Sequence, residues 1–102
     1  MTANTSMKRK IFMVVVDDAK KEQRDAFTQS FKDTPNGFWH YTDKAWVITT
    51  RDTTMNVLTL RDKAAELMPE ATILVVAVEP TVWASKATKE ANEWLQQHMR
   101  SD

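Results

Sequence analysis

An aspartate and the apolar run before it give the first indication of chemistry in this sequence. Asp17 directly follows the β-branched run 11–16, so it would stand at the rim of a sheet if that run is a strand. Carboxylate oxygens are the ligands that Mg2+ prefers. A magnesium ion held by Asp17 from each of two subunits would activate water for attack on a phosphodiester. The alternative is that Asp17 or Asp18 only caps the following helix.

Two further residues are candidates for catalysis beside Asp17. His40, within the triplet WHY, could act as a general acid or base, and Arg51 could contact the phosphate of a substrate. His40 could equally pack in a strand between its aromatic neighbours. Cysteine is absent and the two histidines show no metal-ligand spacing, so a zinc site is not expected.

Aromatic and basic residues form a second set of candidates, for binding nucleic acid. Bases stack on exposed aromatic rings, and basic side chains neutralise phosphates. The chain is formally neutral, with 14 basic and 14 acidic residues, so such binding would need a local patch, at 8–10 or at 20–24. The alternatives are packing for the rings and a solvated surface for the charges. The candidates are Trp39, Tyr41, Lys44, Lys20, Lys21 and Arg24.

Hydrophobic periodicity places these residues on a short series of helices and strands. The order βαββαβ, followed by one more helix, predicts an α+β fold of the ferredoxin-like type with a four-stranded antiparallel sheet. Asp18 is the expected N-cap of the first helix, and the segment 51–54 is expected to cap the second. Strands are predicted at 11–16, 38–42, 45–50 and 72–78, and helices at 20–32, 55–68 and 89–99.

The length and the apolar runs limit the organisation and the location of the chain. Residues 1–9 are expected to be a flexible lead-in and residues 10–102 one ferredoxin-like domain. The run 11–16 is too short to span a membrane, so no membrane partner is expected. The absence of cysteine fits a reducing compartment, and we expect a cytoplasmic protein.

The apolar residues of the first strand predict self-association. They occur at both parities of the run 11–16, so both faces of the strand are apolar. Two helices cover only one face of such a sheet, and the other face would show water a contiguous apolar surface. We therefore expect a two-fold homodimer through the open sheet face or its edge. The alternative is that the last helix and the segment 81–88 cover that face.

One segment carries a resemblance to a known family. The stretch 38–48, FWHYTDKAWVI, resembles the W-H-Y-x-[DE]-x-[ST]-W segment of small SinR-like bacterial proteins, although Ala45 replaces the Ser or Thr of that pattern. The resemblance continues at 73–76, at Trp83 and at 93–95, and covers about residues 10–96.

The resemblance implies both a fold and a site. SinR-like proteins are similar in fold to the small CRISPR-associated endonuclease subunit and to VapD-type ribonucleases. Those relatives are ferredoxin-like homodimers, and their catalytic or metal-binding aspartate ends the first strand. By position that residue is Asp17 here, preceded by Val16 where the relatives commonly have tyrosine.

Three functions remain open from the sequence. The first two are a dimer that binds nucleic acid or a nucleotide without catalysis, and an interaction module for another protein. The third, ranked lower, is an endonuclease on RNA or DNA that uses Mg2+ and Asp17 from each subunit. No Gly-rich phosphate loop and no nucleophile elbow is present, which excludes hydride-transfer and acyl-transfer enzymes.

Overall fold

The computed structural model describes residues 8–79 and 82–100, which form an α+β fold with one antiparallel sheet. Every predicted element is present, with bounds within two residues of those expected. The predicted lead-in lies outside the described residues except for its last two. The elements are β1 (Lys10–Asp17), α1 (Lys21–Lys32), β2 (Gly37–Thr42), β3 (Ala45–Thr50), α2 (Val57–Leu67), β4 (Thr72–Ala77) and α3 (Lys89–His98).

The sheet has the strand order β2-β3-β1-β4, and each neighbouring pair is antiparallel. Lys10 of β1 pairs with Thr50 at the end of β3, and Asp17 pairs with Thr72 at the start of β4. The two ends of β1 therefore lie at opposite rims of the sheet. Thr42 pairs with Ala45, so β2 and β3 are joined by the expected two-residue connection.

The main core lies between one face of the sheet and the helices α1 and α2. Alternate residues of β1 point into it, namely Phe12, Val14 and Val16, because side chains alternate across a strand. Phe27 and Phe31 lie one helical turn apart on α1, and the Phe27 ring packs edge-on against Trp46 with centroids 5.0 Å apart. The remaining buried members are Ile48, Leu60, Ala64 and Met68.

The last helix packs against the opposite face of the sheet. Ile11 and Val47 meet Leu95 and Met99 there in a second, smaller apolar cluster. The indole of Trp39 donates a hydrogen bond to the carbonyl oxygen of Ala91, over 3.2 Å, and ties α3 to β2. The last helix therefore covers part of the second apolar face that the parity of β1 predicted.

The caps of α1 and α2 differ from those expected. Lys20, not Asp18, is the N-cap of α1, and its backbone N–H donates to the side-chain oxygen of Gln23. Asp18 instead adopts a left-handed conformation with φ of 65° and turns the chain out of β1. Asn56 caps α2, since its Oδ1 accepts from the backbone N–H groups of Leu58 and Thr59. The segment 51–54, which was expected to cap this helix, does not cap it.

Among the described residues, none of the helices has both the length and the apolar character that crossing a bilayer requires.

Candidate functional site

The rim aspartate is paired with a lysine from the β2–β3 turn. The Nζ of Lys44 lies 2.9 Å from Oδ1 of Asp17, and both side chains are exposed. This hydrogen bond and the charge of the ammonium group lower the pKa of Asp17 below its ordinary value. The same contact raises the pKa of Lys44. Asp17 is thus held ionised at the sheet rim, as a metal ligand must be, but its partner within the chain is a cation.

The three residues considered for catalysis do not meet within the chain. Arg51 follows β3 at the rim where β1 begins, and Asp17 lies at the other end of β1, roughly 20 Å away at about 3.3 Å per residue. His40 lies on the face of the sheet that α1 and α2 cover, where its ring stacks on Trp46 with centroids 4.2 Å apart. Its Nδ1 is 2.9 Å from the carbonyl oxygen of Ala45 on the neighbouring strand β3. The ring is therefore fixed both by stacking on Trp46 and by this hydrogen bond.

The basic residues considered for nucleic-acid binding make local contacts. Lys21 pairs with Asp25 one helical turn further on, at 2.8 Å, and the hydrogen bond lowers the pKa of Asp25. Arg24 donates to the carbonyl oxygen of Ala19. Lys20 is exposed at the start of the same helix. These residues and the aromatic candidates therefore do not form one patch, since the rings lie on the opposite face of the sheet.

The aromatic candidates line a cleft of about 470 Å3 between β2 and the segment that leads into α3. The rings of Trp39 and Tyr41 lie 5.5 Å apart in a tilted arrangement. The hydroxyl of Tyr41 donates to the carboxylate of Glu90 over 2.9 Å, which raises the pKa of Tyr41. Lys86 and Thr88 line the cleft as well. Both rings are held in place at an accessible surface, where a planar group could stack.

A strip of apolar side chains on β1 and β4 is uncovered. Met13 pairs with Val76 and Val15 pairs with Leu74, on the face of the sheet that α3 covers over β2, β3 and the start of β1. The exposed fractions are 36% for Met13, 37% for Val15, 58% for Leu74 and 38% for Val76. We call these four residues the bare strip. The parity of β1 predicted apolar residues on this face, but the sequence does not say which half α3 leaves uncovered.

A second cleft, at the rim where β1 begins, was not singled out as a site from the sequence. It is lined by Arg9, Arg51 and His98 beside the start of β2. The basic run at 8–10 was the available signal, but its partners come from distant parts of the chain.

No group of three or more His, Cys, Asp or Glu side chains that could hold a metal ion occurs among the described residues. In a comparison with known proteins, no family model, no curated protein and no solved structure matches this chain.

Proposed function

We propose that this protein is a ferredoxin-like homodimer that acts by binding rather than by catalysis, with the bare strip at the centre of its subunit interface. The strand order β2-β3-β1-β4, with α1 and α2 sharing one core, supports the ferredoxin-like topology. An aspartate also ends β1, at the position that the resemblance to SinR-like proteins assigns to a catalytic or metal-binding residue.

The single observation that carries the proposal is the exposure of the bare strip. Four apolar side chains in two cross-strand pairs expose an area on the order of 300 Å2, which is at the lower end of the range for the largest apolar patch on a monomer, a patch that is often functional. A stable interface buries about 800 Å2 on each partner. The strip would therefore supply the apolar centre of the interface, and the polar residues around the strip would supply its periphery. Because ordering costs offset much of this gain, we expect micromolar rather than nanomolar self-association.

The proposal is tested by a charge placed on the strip. Leu74→Asp should convert the dimer to a folded monomer in size-exclusion chromatography with light scattering, because a carboxylate in an apolar interface is not solvated. The matched control is Leu58→Asp on α2, since Leu58 is 57% exposed and Leu74 is 58% exposed. Val76→Thr, which keeps the β-branched shape, should weaken the dimer less. Equal loss of the dimer in the Leu58 and Leu74 variants would contradict the proposal.

The cleft lined by Trp39 and Tyr41, which we call the aromatic cleft, supports nucleic acid or a nucleotide as the partner that the dimer binds. The rings of Tyr41 and Trp39 lie at the surface and are fixed by internal contacts. Base stacking on such rings is worth about 1–3 kcal/mol per base. Tyr41→Ala should then weaken binding of a short single-stranded oligonucleotide about tenfold, as measured by fluorescence anisotropy. Tyr41→Phe, which keeps the ring, should bind like the wild type. Another protein is the partner to seek if the oligonucleotide does not bind.

The endonuclease is the second candidate, and one observation favours it. Asp17 is exposed at the sheet rim and its pKa is lowered, so its carboxylate is ionised and accessible to Mg2+. Cleavage of RNA or DNA should then depend on Mg2+ and be lost in Asp17→Asn while the dimer persists. Lys44→Gln should increase cleavage, because it removes the cation that competes with the metal. Cleavage that is the same in Asp17→Asn and wild-type protein would eliminate this candidate.

A further inference from the structure

We propose that the cleft at the rim where β1 begins is a binding site for a phosphate group. The cleft has a volume of about 710 Å3 and is lined by Arg9, Arg51, Asn36, Gly37 and His98, among others. It is separate from the bare strip and from the aromatic cleft, so the proposal is independent of the dimer.

The strand register brings the two arginines to the same rim. Lys10 pairs with Thr50, so Arg9 and Arg51 flank that pair, one before β1 and one after β3. Thr49 pairs with Gly37, which places the start of β2 beside them. The C-terminal end of α3 completes the cleft, where a guanidinium nitrogen of Arg9 donates to the carbonyl oxygen of His98 over 3.2 Å.

The only glycine of the chain is required at this point by close packing. A Cβ on residue 37 would lie 2.6 Å from Oγ1 of Thr49 and 3.4 Å from a ring carbon of Trp94. At the first of these distances something must shift: either the Thr49 hydroxyl turns away or β2 moves away from β3. Gly37 therefore lets a strand backbone form part of the cleft wall, where it is open to a small ligand.

The cleft is cationic although the chain is neutral. Two guanidinium groups line it, and the only carboxylate lining it among the described residues is that of Asp52. Oδ1 of Asp52 accepts hydrogen bonds from the backbone N–H and the hydroxyl of Thr54, at 2.9 and 2.7 Å. Lys10 adds a further charge nearby, its ammonium held by the carbonyl oxygen of Met55. An anion entering the cleft thus meets an excess of positive charge.

The hydrogen-bond donors suit a tetrahedral oxyanion. Arg9 and Arg51 both take part in further interactions within the protein, but a guanidinium has five N–H donors and can bind a phosphate while keeping an internal contact. Oδ1 of Asn36 accepts from the Thr50 hydroxyl at 2.6 Å, and this fixes the amide and leaves its NH2 group as a donor. Nδ1 of His98 donates to the carbonyl oxygen of Trp94, so Nε2 of the neutral ring is an acceptor, which suits the P–OH of a monoprotonated phosphate rather than its charged oxygens.

Inorganic phosphate is the probe that tests the site. In an NMR titration of the whole protein at constant ionic strength, phosphate up to about 20 mM should give saturable shifts of the Asn36, Gly37 and Thr49 amides, and chloride should not. Arg51→Gln should weaken phosphate binding about tenfold or more, and Arg51→Lys should weaken it less, because it keeps the charge and loses the bidentate geometry. Arg61→Gln on α2 removes the same charge away from the cleft and is the matched control.

A second arm distinguishes the sources of the phosphate. An oligonucleotide that shifts the same amides at lower concentration than inorganic phosphate would assign the site to a nucleic-acid backbone, and shifts with phosphate alone would assign it to a small molecule. The absence of saturable shifts at these amides with either probe would overturn the proposal. So would an Arg61→Gln variant that loses as much affinity as Arg51→Gln. Leu74→Asp should still bind phosphate, so failure of the dimer and failure of this site are distinguishable.

Discussion

At the scale of single residues, the contact between Asp17 and Lys44 changes how the main catalytic candidate is understood. The sequence indicates a carboxylate at a strand end, and the structure adds the ammonium group that holds it. The contact lowers the pKa of Asp17, so this group contributes stability at neutral pH that is lost as the pH falls through the lowered pKa. Since both side chains are exposed, the contribution is small.

Replacing the lysine tests this contact. Lys44→Gln should raise the pKa of Asp17 toward its ordinary value of 3.8, because the hydrogen bond and the positive charge are both removed. A side-chain carboxyl NMR titration measures the shift, with Lys86→Gln as a control of equal charge. An unchanged pKa of Asp17 in Lys44→Gln would mean that the pair does not form in solution.

Residue types alone did not predict how the candidate residues are arranged. His40 was a candidate because histidine between aromatics suits either catalysis or packing, and only the position of Trp46 shows that its ring is stacked. Arg9 and Arg51 are far apart in the sequence and meet only because β1 and β3 pair with a particular register. Such contacts depend on the tertiary structure, and no local pattern encodes them.

At the scale of elements, periodicity predicted the helices and strands because each has at least one strongly apolar face. Phe27 and Phe31 mark the buried face of α1, whereas Ala26, the residue before Phe27, is exposed. The caps were less predictable. Lys20 is a residue type that the usual N-cap preference does not favour, and its amide is satisfied by the side chain of Gln23.

The cap of α2 gives a prediction for stability. Asn56→Ala should lower the free energy of unfolding by about 1 kcal/mol, because two backbone N–H groups lose their acceptor. Asn56→Asp keeps an acceptor oxygen and should be close to wild type. Urea denaturation followed by circular dichroism measures both. A loss in the Asp variant as large as that in the Ala variant would show that the Asn56 side chain acts in another way.

The aromatic packing of α1 against the sheet gives a larger effect. Phe27→Ala should destabilise the protein by about 3–5 kcal/mol, because Phe27 is fully buried and contacts both Phe31 and Trp46 edge-on. Gln29→Ala on the exposed side of α1 should change stability little. Thermal unfolding monitored by tryptophan fluorescence compares them. A loss below about 1 kcal/mol for Phe27→Ala would contradict this core arrangement.

At the scale of the whole molecule, the sheet is covered on one face and half covered on the other. The parity of β1 predicted this second apolar face. The alternative was that the last helix and the segment 81–88 cover it, and α3 does cover β2, β3 and Ile11 at the start of β1. The other half is the bare strip, whose exposure depends on where α3 docks. Docking is set by the contacts of Trp39, Leu95 and Met99, which the helical period of α3 does not specify.

The mass of the wild-type protein in solution is the most direct test of the proposed homodimer. Sedimentation equilibrium over a range of concentrations up to about 100 μM should give a mass that approaches twice the 11.8 kDa of one chain. A mass that stays at 11.8 kDa throughout that range would contradict the proposal that β1 and β4 form a subunit interface.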